Sequence, residues 1–199
     1  MSFKGFLASI CLLTLSTTAS ATLITFDNIA GGSVQNSFSQ VGVHAGYNIS
    51  TNLHWIDVVN SGWNFGAVSG DFALLNNYSG VGIITATNNA DFYFGGIWAK
   101  RWATAPNSGG ADSLSGFLKG MKNNQVVWQV TTGLNGSYKF FGAQNFAIDQ
   151  LQLGFGNHFL ADNLTLTQEP VPSVNVPEPS SVAILGLGLL GLLRLHKKS

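Results

Sequence analysis

Between Thr22 and Thr167 no run of twelve residues carries the apolar spacing of a helix. Short β-type runs alternate instead with turns rich in Gly, Asn and Ser. The clearest runs are Leu23–Ile29, Leu53–Val59, Asp71–Leu75, Val81–Thr87, Asp91–Trp98, Leu114–Met121, Gln125–Thr131, Tyr138–Phe141, Phe146–Leu153 and Phe159–Thr167. With no amphipathic helix in the body to cover them, these strands must bury their apolar faces against one another. They predict an all-β fold, a jelly-roll-like two-sheet sandwich, as one domain over 22–167. Val126, Trp128 and Val130 alternate onto one face; Leu160, Leu164 and Leu166 alternate onto another, interrupted by Asp162. Asn123-Asn124 and Asn135-Gly136 are hairpin signals. Near Asp149-Gln150 the apolar parity shifts from Phe146/Ile148 to Leu151/Leu153, which predicts a bulge or bend.

Only 9% of the residues are charged, against about a quarter in an average soluble protein. The polar surface is therefore made of amides and hydroxyls, a usage that suits exported β-proteins. From Thr22 to Val176 the cations are Lys100, Arg101, Lys119, Lys122 and Lys139, outnumbered by acids, and no basic stripe forms. Nucleic acid is accordingly excluded as a partner. The sole cysteine, Cys11, falls in the N-terminal leader, so disulfides cannot stabilise the body.

The two ends read as targeting segments. Lys4, the apolar stretch Phe6–Leu15 and the small residues Ala19-Ser20-Ala21 form a signal peptide over 1–21. A Pro-rich linker over 168–176 leads into a tail over 177–199. The tail begins Pro177-Glu178-Pro179, continues as a hydrophobic helix over about 180–195 whose stretch up to Leu193 is uncharged, and closes with Arg194, Lys197 and Lys198. Its Gly186-x-Gly188-x-x-Gly191 spells a dinucleotide fingerprint, but no strand precedes it and no ribose-binding acid follows. The uncharged stretch spans about 22 Å as a helix, short of a roughly 30 Å hydrocarbon core. Snorkelling of Arg194 and bilayer thinning close that gap.

A Pro-Glu-Pro signature, a Gly/Leu helix and a terminal basic cluster, in that order, resemble the PEP-CTERM sorting tail. The same tail is also catalogued as an ice-binding protein C-terminal domain, a label for the tag and not for an activity. The resemblance implies Pro177, Glu178, Pro179 and Arg194 as the sorting motif and an exosortase-type protease as processing partner. It also implies transient anchoring in the membrane through the C-terminal helix, with the body delivered to the cell envelope or outer surface. More loosely, Thr25-Phe26-Asp27-Asn28-Ile29 and Phe159-Leu160-Ala161-Asp162-Asn163-Leu164 resemble the first and last strands of sandwich domains carried by such proteins.

Two groups of residues are candidates for chemistry. If the first and last strands are neighbours, Asp27 and Asp162 approach one another, and Asp71 after Ser69-Gly70 supplies a third carboxylate. Close carboxylates repel unless a proton or cation intervenes, and oxygen ligands suit structural calcium. The alternative is that each Asp bonds backbone N–H groups at a turn. Among the aromatics, Trp63, Trp98 and Trp102 are candidate ligand-binding rings, with Trp63 between Gly62 and Asn64 the most loop-like. Aromatics also fill the cores of small sandwiches; Trp128 belongs there. Lys100-Arg101-Trp102 offers a cation beside a ring, for an acidic polysaccharide or a ring contact. Catalytic signatures are thin: no HExxH, no GxSxG, no Cys in the body. The sequence thus points to a non-catalytic surface or matrix protein that binds exopolysaccharide. The alternatives are a structural or adhesive protein that binds other proteins, and an extracellular hydrolase.

Overall fold

The computed structural model describes residues 21–29 and 38–168. The predicted signal peptide up to Ser20, the linker beyond Gln168 and the tail with its hydrophobic helix lie outside these residues. Within them every regular element is a strand, and no helix is long and apolar enough to cross a membrane. The strands are β1 (Thr22–Ile24), β2 (Phe38–Gln40), β3 (Val43–His44), β4 (Tyr47–Ile49), β5 (Leu53–Asp57), β6 (Phe72–Asn76), β7 (Gly82–Ala86), β8 (Phe92–Arg101), β9 (Leu114–Lys122), β10 (Gln125–Leu134), β11 (Lys139–Ile148), β12 (Gln150–Gly154) and β13 (Phe159–Thr167).

They form two antiparallel sheets. One runs β11-β8-β13-β6-β5-β2, with β1 also on β13; the other runs β10-β9-β12-β7-β4-β3. The first and last strands pair, Thr22 opposite Leu166 and Ile24 opposite Leu164, which meets the condition for Asp27 to approach Asp162. β13 has β8 along one side, while its other side is shared: β6 takes Phe159–Ala161 and β1 takes Leu164–Leu166. Asp162 and Asn163 sit where the neighbour changes.

The inner faces of both sheets close on one apolar core. Phe26, Phe92, Phe94, Ile97, Leu118, Leu151, Leu153, Phe155, Phe159 and Leu164 are fully buried in it. Burial of a Leu, Ile or Phe side chain contributes about 1.5–3 kcal/mol, so this core replaces the missing disulfides as the main source of stability. Packing is close enough that Gly120 has no room for a side chain: a Cβ there would overlap the Trp128 indole and Ile148.

Four local readings of the sequence need correction, and each has a backbone cause. Asn135-Gly136 does not close a hairpin; β10 and β11 end different sheets, and this turn crosses between them. Asn123-Asn124 does close one, both residues having positive φ, as a two-residue primed turn requires. The parity shift at Asp149 is a change of sheet, β11 pairing with β8 and β12 with β9 and β7. Val126 does not share the face of Trp128: the register slips between them, leaving Val126 exposed while Val127 packs on the core. Leu160 likewise parts from Leu164 and Leu166. Asn163 has φ +50°, β13 bulges against β8, and Leu160 points to the opposite face of the sheet from the other two leucines.

Candidate functional site

The outer face of the seven-stranded sheet is not bare. On β5, Leu53 and Trp55 enter the core, so His54 and Ile56 face outward. Ile56, Val58, Ala73, Leu75 and Leu160 form a second apolar cluster, covered by Phe65, Ala67, Trp102 and Tyr138. The covering residues come mainly from two connections, 58–71 between β5 and β6 and 102–113 between β8 and β9.

Long connections are mobile unless their polar groups find partners, and 58–71 is tied down along its length. Asp57 starts it: one carboxylate oxygen accepts from the backbone N–H groups of Val59 (3.0 Å) and Asn60 (2.7 Å). Its carbonyl accepts from the Ser61 hydroxyl. Lys100 is fully buried, and its ammonium donates to the carbonyls of Phe65 (2.8 Å), Thr104 (3.0 Å) and Ala105 (3.3 Å), binding both connections to one strand. Burial lowers its pKa to about 8. Tyr138 donates its hydroxyl to the Gly66 carbonyl. Asp162 accepts from the N–H groups of Val68 (2.8 Å), Ser69 (3.0 Å) and Asn163 (2.7 Å). Asp27 Oδ1 accepts from Asp71 (2.9 Å) and Phe72 (3.1 Å). The Asp27 carboxylate lies so close over Gly70, at φ +59°, that a Cβ there would overlap it.

On this scaffold sits a continuous row of rings. Tyr78 packs against His54 at a tilt with centroids 4.5 Å apart, His54 meets Phe38 at 6.1 Å, Phe38 meets Trp63 at 5.6 Å, and Trp63 meets Trp102 edge-on at 6.1 Å. Phe65 buttresses Trp102 at 4.7 Å. Tyr78 is 54%, Phe38 40% and Trp63 38% exposed, while Trp102 is half-buried. His54 is nearly enclosed, its Nδ1 has no partner, and burial lowers its pKa.

Of the three tryptophans singled out by sequence, Trp63 and Trp102 thus come together. Trp98 stands apart on the same outer face, its ring 5.2 Å from that of Phe140 on the neighbouring β11. Trp55 and Tyr47 are core residues. Lys100 is not available to an acidic ligand, because all its donors serve the two connections. Sequence reasoning missed Phe38 and His54 as members of the row, and Asp57 and Lys100 as its anchors. A single apolar residue in Phe38-Ser39-Gln40 gives no strand pattern to notice.

The three aspartates also converge in part. Asp27 bonds the Asp71 backbone, and its charge reaches Asp162. Burial raises the Asp162 pKa to about 7, the three N–H donors pull it back, and the Asp27 charge pushes it further up. The Asp71 carboxylate turns to the Asn60 side-chain amide at 2.9 Å. Among the described residues no three His, Cys, Asp or Glu side chains are grouped to hold a metal ion. Backbone N–H groups already occupy Asp27 Oδ1 and both Asp162 oxygens. Chelation of divalent cations is therefore expected to leave the melting temperature unchanged. A fall on adding chelator, reversed by calcium, would instead support structural calcium at these aspartates.

Residues 175–198 match the family model of the PEP-CTERM protein-sorting motif. The match covers the tail predicted from Pro177-Glu178-Pro179 and the terminal cations, and a PEP-CTERM tail marks a chain for export and sorting at the cell envelope. No curated protein matches the chain. Among solved structures the backbone is similar to the C-terminal family 22 carbohydrate-binding module of Clostridium thermocellum Xyn10B. Identity there is 10%, coverage is 77% of this chain and 94% of that one, and the TM-score is 0.38. A second similar structure is TmCBM61 in complex with β-1,4-galactotriose, at 13% identity, 68% and 97% coverage and a TM-score of 0.37. Overlap this slight carries no residue correspondences.

Proposed function

We propose that the body is a jelly-roll-like, non-catalytic module that the PEP-CTERM tail delivers to the cell surface, where it binds polysaccharide along the ring row from Tyr78 to Trp102. The observation that carries this reading is the row itself: rings in mutual contact, with Tyr78, Phe38 and Trp63 exposed to solvent and with Trp63 and Trp102 on connections whose backbone polar groups are fixed from beneath. Aromatic faces stack on the apolar faces of sugar rings, and the Asn and Ser side chains of 60–64 offer hydrogen bonds to hydroxyls. Fixed connections lose little freedom on binding, which favours affinity. The stretch Val58–Gly66 carries no charge, and the nearby Lys100 charge is internally satisfied, so a neutral polysaccharide suits the row better than an acidic one. An exosortase-type protease and the membrane, through the C-terminal helix, are the partners during export.

Trp63→Ala is expected to weaken binding to a retained neutral polysaccharide at least about tenfold, the loss of roughly 1.4 kcal/mol of stacking. Its melting temperature should fall by only a few degrees, because the ring packs against Phe38 and Trp102 but keeps over a third of its surface in solvent. Phe140→Ala, away from the row, should bind normally. Affinity electrophoresis across a panel of neutral and acidic polysaccharides reads the binding of the wild type and both variants, and thermal denaturation reads the stability. Absence of retardation on every gel, or Trp63→Ala migrating like the wild type, would remove the glycan reading and favour the protein-binding alternative.

A further inference from the structure

The two sides of the sandwich are treated differently. On one side the sheets end in β2 and β3, the three residues Phe38–Gln40 and the two residues Val43–His44. Very short edge strands are a standard protection against unwanted pairing. On the other side the sheets end in β10 and β11, each ten residues long.

Neither carries a Pro, and β11 exposes the larger apolar side chains of the two. Lys139, at its start, is drawn into an ion pair with Asp112. From Phe140 to Ile148 the strand has no charge and no Pro, the two devices that most often block edge pairing. Two of its large apolar side chains face solvent, Phe140 at 53% and Phe146 at 56% exposure. One guard is present, a slip of register against β8 between Gln144 and Ile148, which leaves Phe140–Gln144 regular. Among the described residues no strand pairs with its free side.

We infer that β11 is a docking edge for a second copy of this chain, the two β11 strands pairing antiparallel about Ala143 and joining two seven-stranded sheets into one. The occupant follows from charge. In a two-fold pairing each residue meets its own strand, so any charge near the centre would face a like charge. A strand free of charge from Phe140 onward is suited to self-pairing, whereas a basic or acidic peptide would find no complement along it. Pairing about Ala143 also sets Phe140 of one copy opposite Phe146 of the other, covering both exposed rings. This inference is independent of the ring row and of what the row binds.

Cysteine cross-linking of the full chain in its own envelope tests it, because Cys11 is the only native cysteine. In a Cys11→Ser background, single cysteines at Gly142, Ala143 and Gln144 are exposed to mild oxidant, with Val43→Cys on β3 as control. A disulfide-linked species of doubled mass is expected from at least one of the three and not from the control. Adding Phe140→Lys and Phe146→Lys, which face each other across the seam in a pairing about Ala143, should reduce that species to the control level. Reduction to monomer by thiol and an unchanged melting temperature show that the charged variant is folded. No dimer above control at any of the three positions overturns the inference. So does a dimer indifferent to the added lysines, or one formed equally through Val43→Cys.

Discussion

Replacing Lys100 by methionine is expected to lower the stability of the body by about 3 kcal/mol, roughly 10 °C in melting temperature for a domain of this size. Two effects oppose each other. Removing the ammonium relieves the cost of keeping a charge out of water, which is several kcal/mol for an unpaired ion. Against this, three carbonyls lose a charged donor, each such bond contributing about 1.5–3 kcal/mol. The acceptors themselves remain, at Phe65, Thr104 and Ala105, where the side chain that reached them has become apolar. The loss of the bonds therefore outweighs the relief. The consequence for function is larger than the stability figure suggests. Lys100 holds 58–71 and 102–113 to the same strand, and Trp63, Phe65 and Trp102 ride on those two connections. Lys100→Met should redden the tryptophan fluorescence as these rings gain mobility and solvent, and should weaken polysaccharide binding without touching a ring. A melting temperature within about a degree of wild type would show that the connections are held by other means. Unchanged affinity in a destabilised variant would separate folding from the ring row.

What the sequence reveals about this protein divides along a physical line. Alternation and turn chemistry are local, and they expose ten of the strands and the all-β class. The tail is also local: Pro177-Glu178-Pro179 and its terminal cations are legible one after another. β2, β3 and β4 are missed because two or three residues cannot establish a period. Val126 and Leu160 are misplaced because a single extra residue flips the parity, and a bulge leaves no mark beyond an Asn such as Asn163. The anchors are the least legible. Lys100 reads as a surface cation, because nothing in Ala99-Lys100-Arg101 shows that 58–71 and 102–113 will close over it. Asp27, Asp71 and Asp162 stand out in the sequence as candidate metal ligands, and the pairing of β1 with β13 brings Asp27 near Asp162. Which backbone N–H groups they accept depends on the course of 58–71, which no pairwise spacing contains. Phe38 joins the ring row for a similarly non-local reason, the pairing of β2 with β5 that puts it beside His54 and Trp63.

The stability of the body is expected to decline as pH rises from about 4 to about 7, the reverse of the usual carboxylate contribution. Asp162 is the reason. Its pKa moves from 3.8 to about 7 on folding, because it is buried and faces the Asp27 charge, and its three N–H donors only partly compensate. Within that window the folded chain holds a proton that the unfolded chain has released, so raising the pH favours unfolding. Across the full window the loss reaches about 4 kcal/mol. Of the groups that act on Asp162, Asp27 opposes its ionisation, and Tyr138, its pKa raised by burial and by Asp162 itself, stays neutral throughout. Lys100 loses its proton only near pH 8, above the window. His44 and His54 work in the opposite direction: burial lowers their pKa values, so their contribution rises with pH up to about 6.5. The comparison with Asp162→Asn cancels them. An asparagine keeps one carbonyl oxygen for Val68 and Ser69 but turns its amide toward the Asn163 N–H, a loss of about 1 kcal/mol at every pH. The two denaturation curves should therefore cross: wild type the more stable near pH 4, Asp162→Asn the more stable near pH 8. Urea midpoints measured from pH 4 to 8 decide it. Parallel profiles would mean that Asp162 is ionised throughout, with its N–H donors outweighing both burial and Asp27.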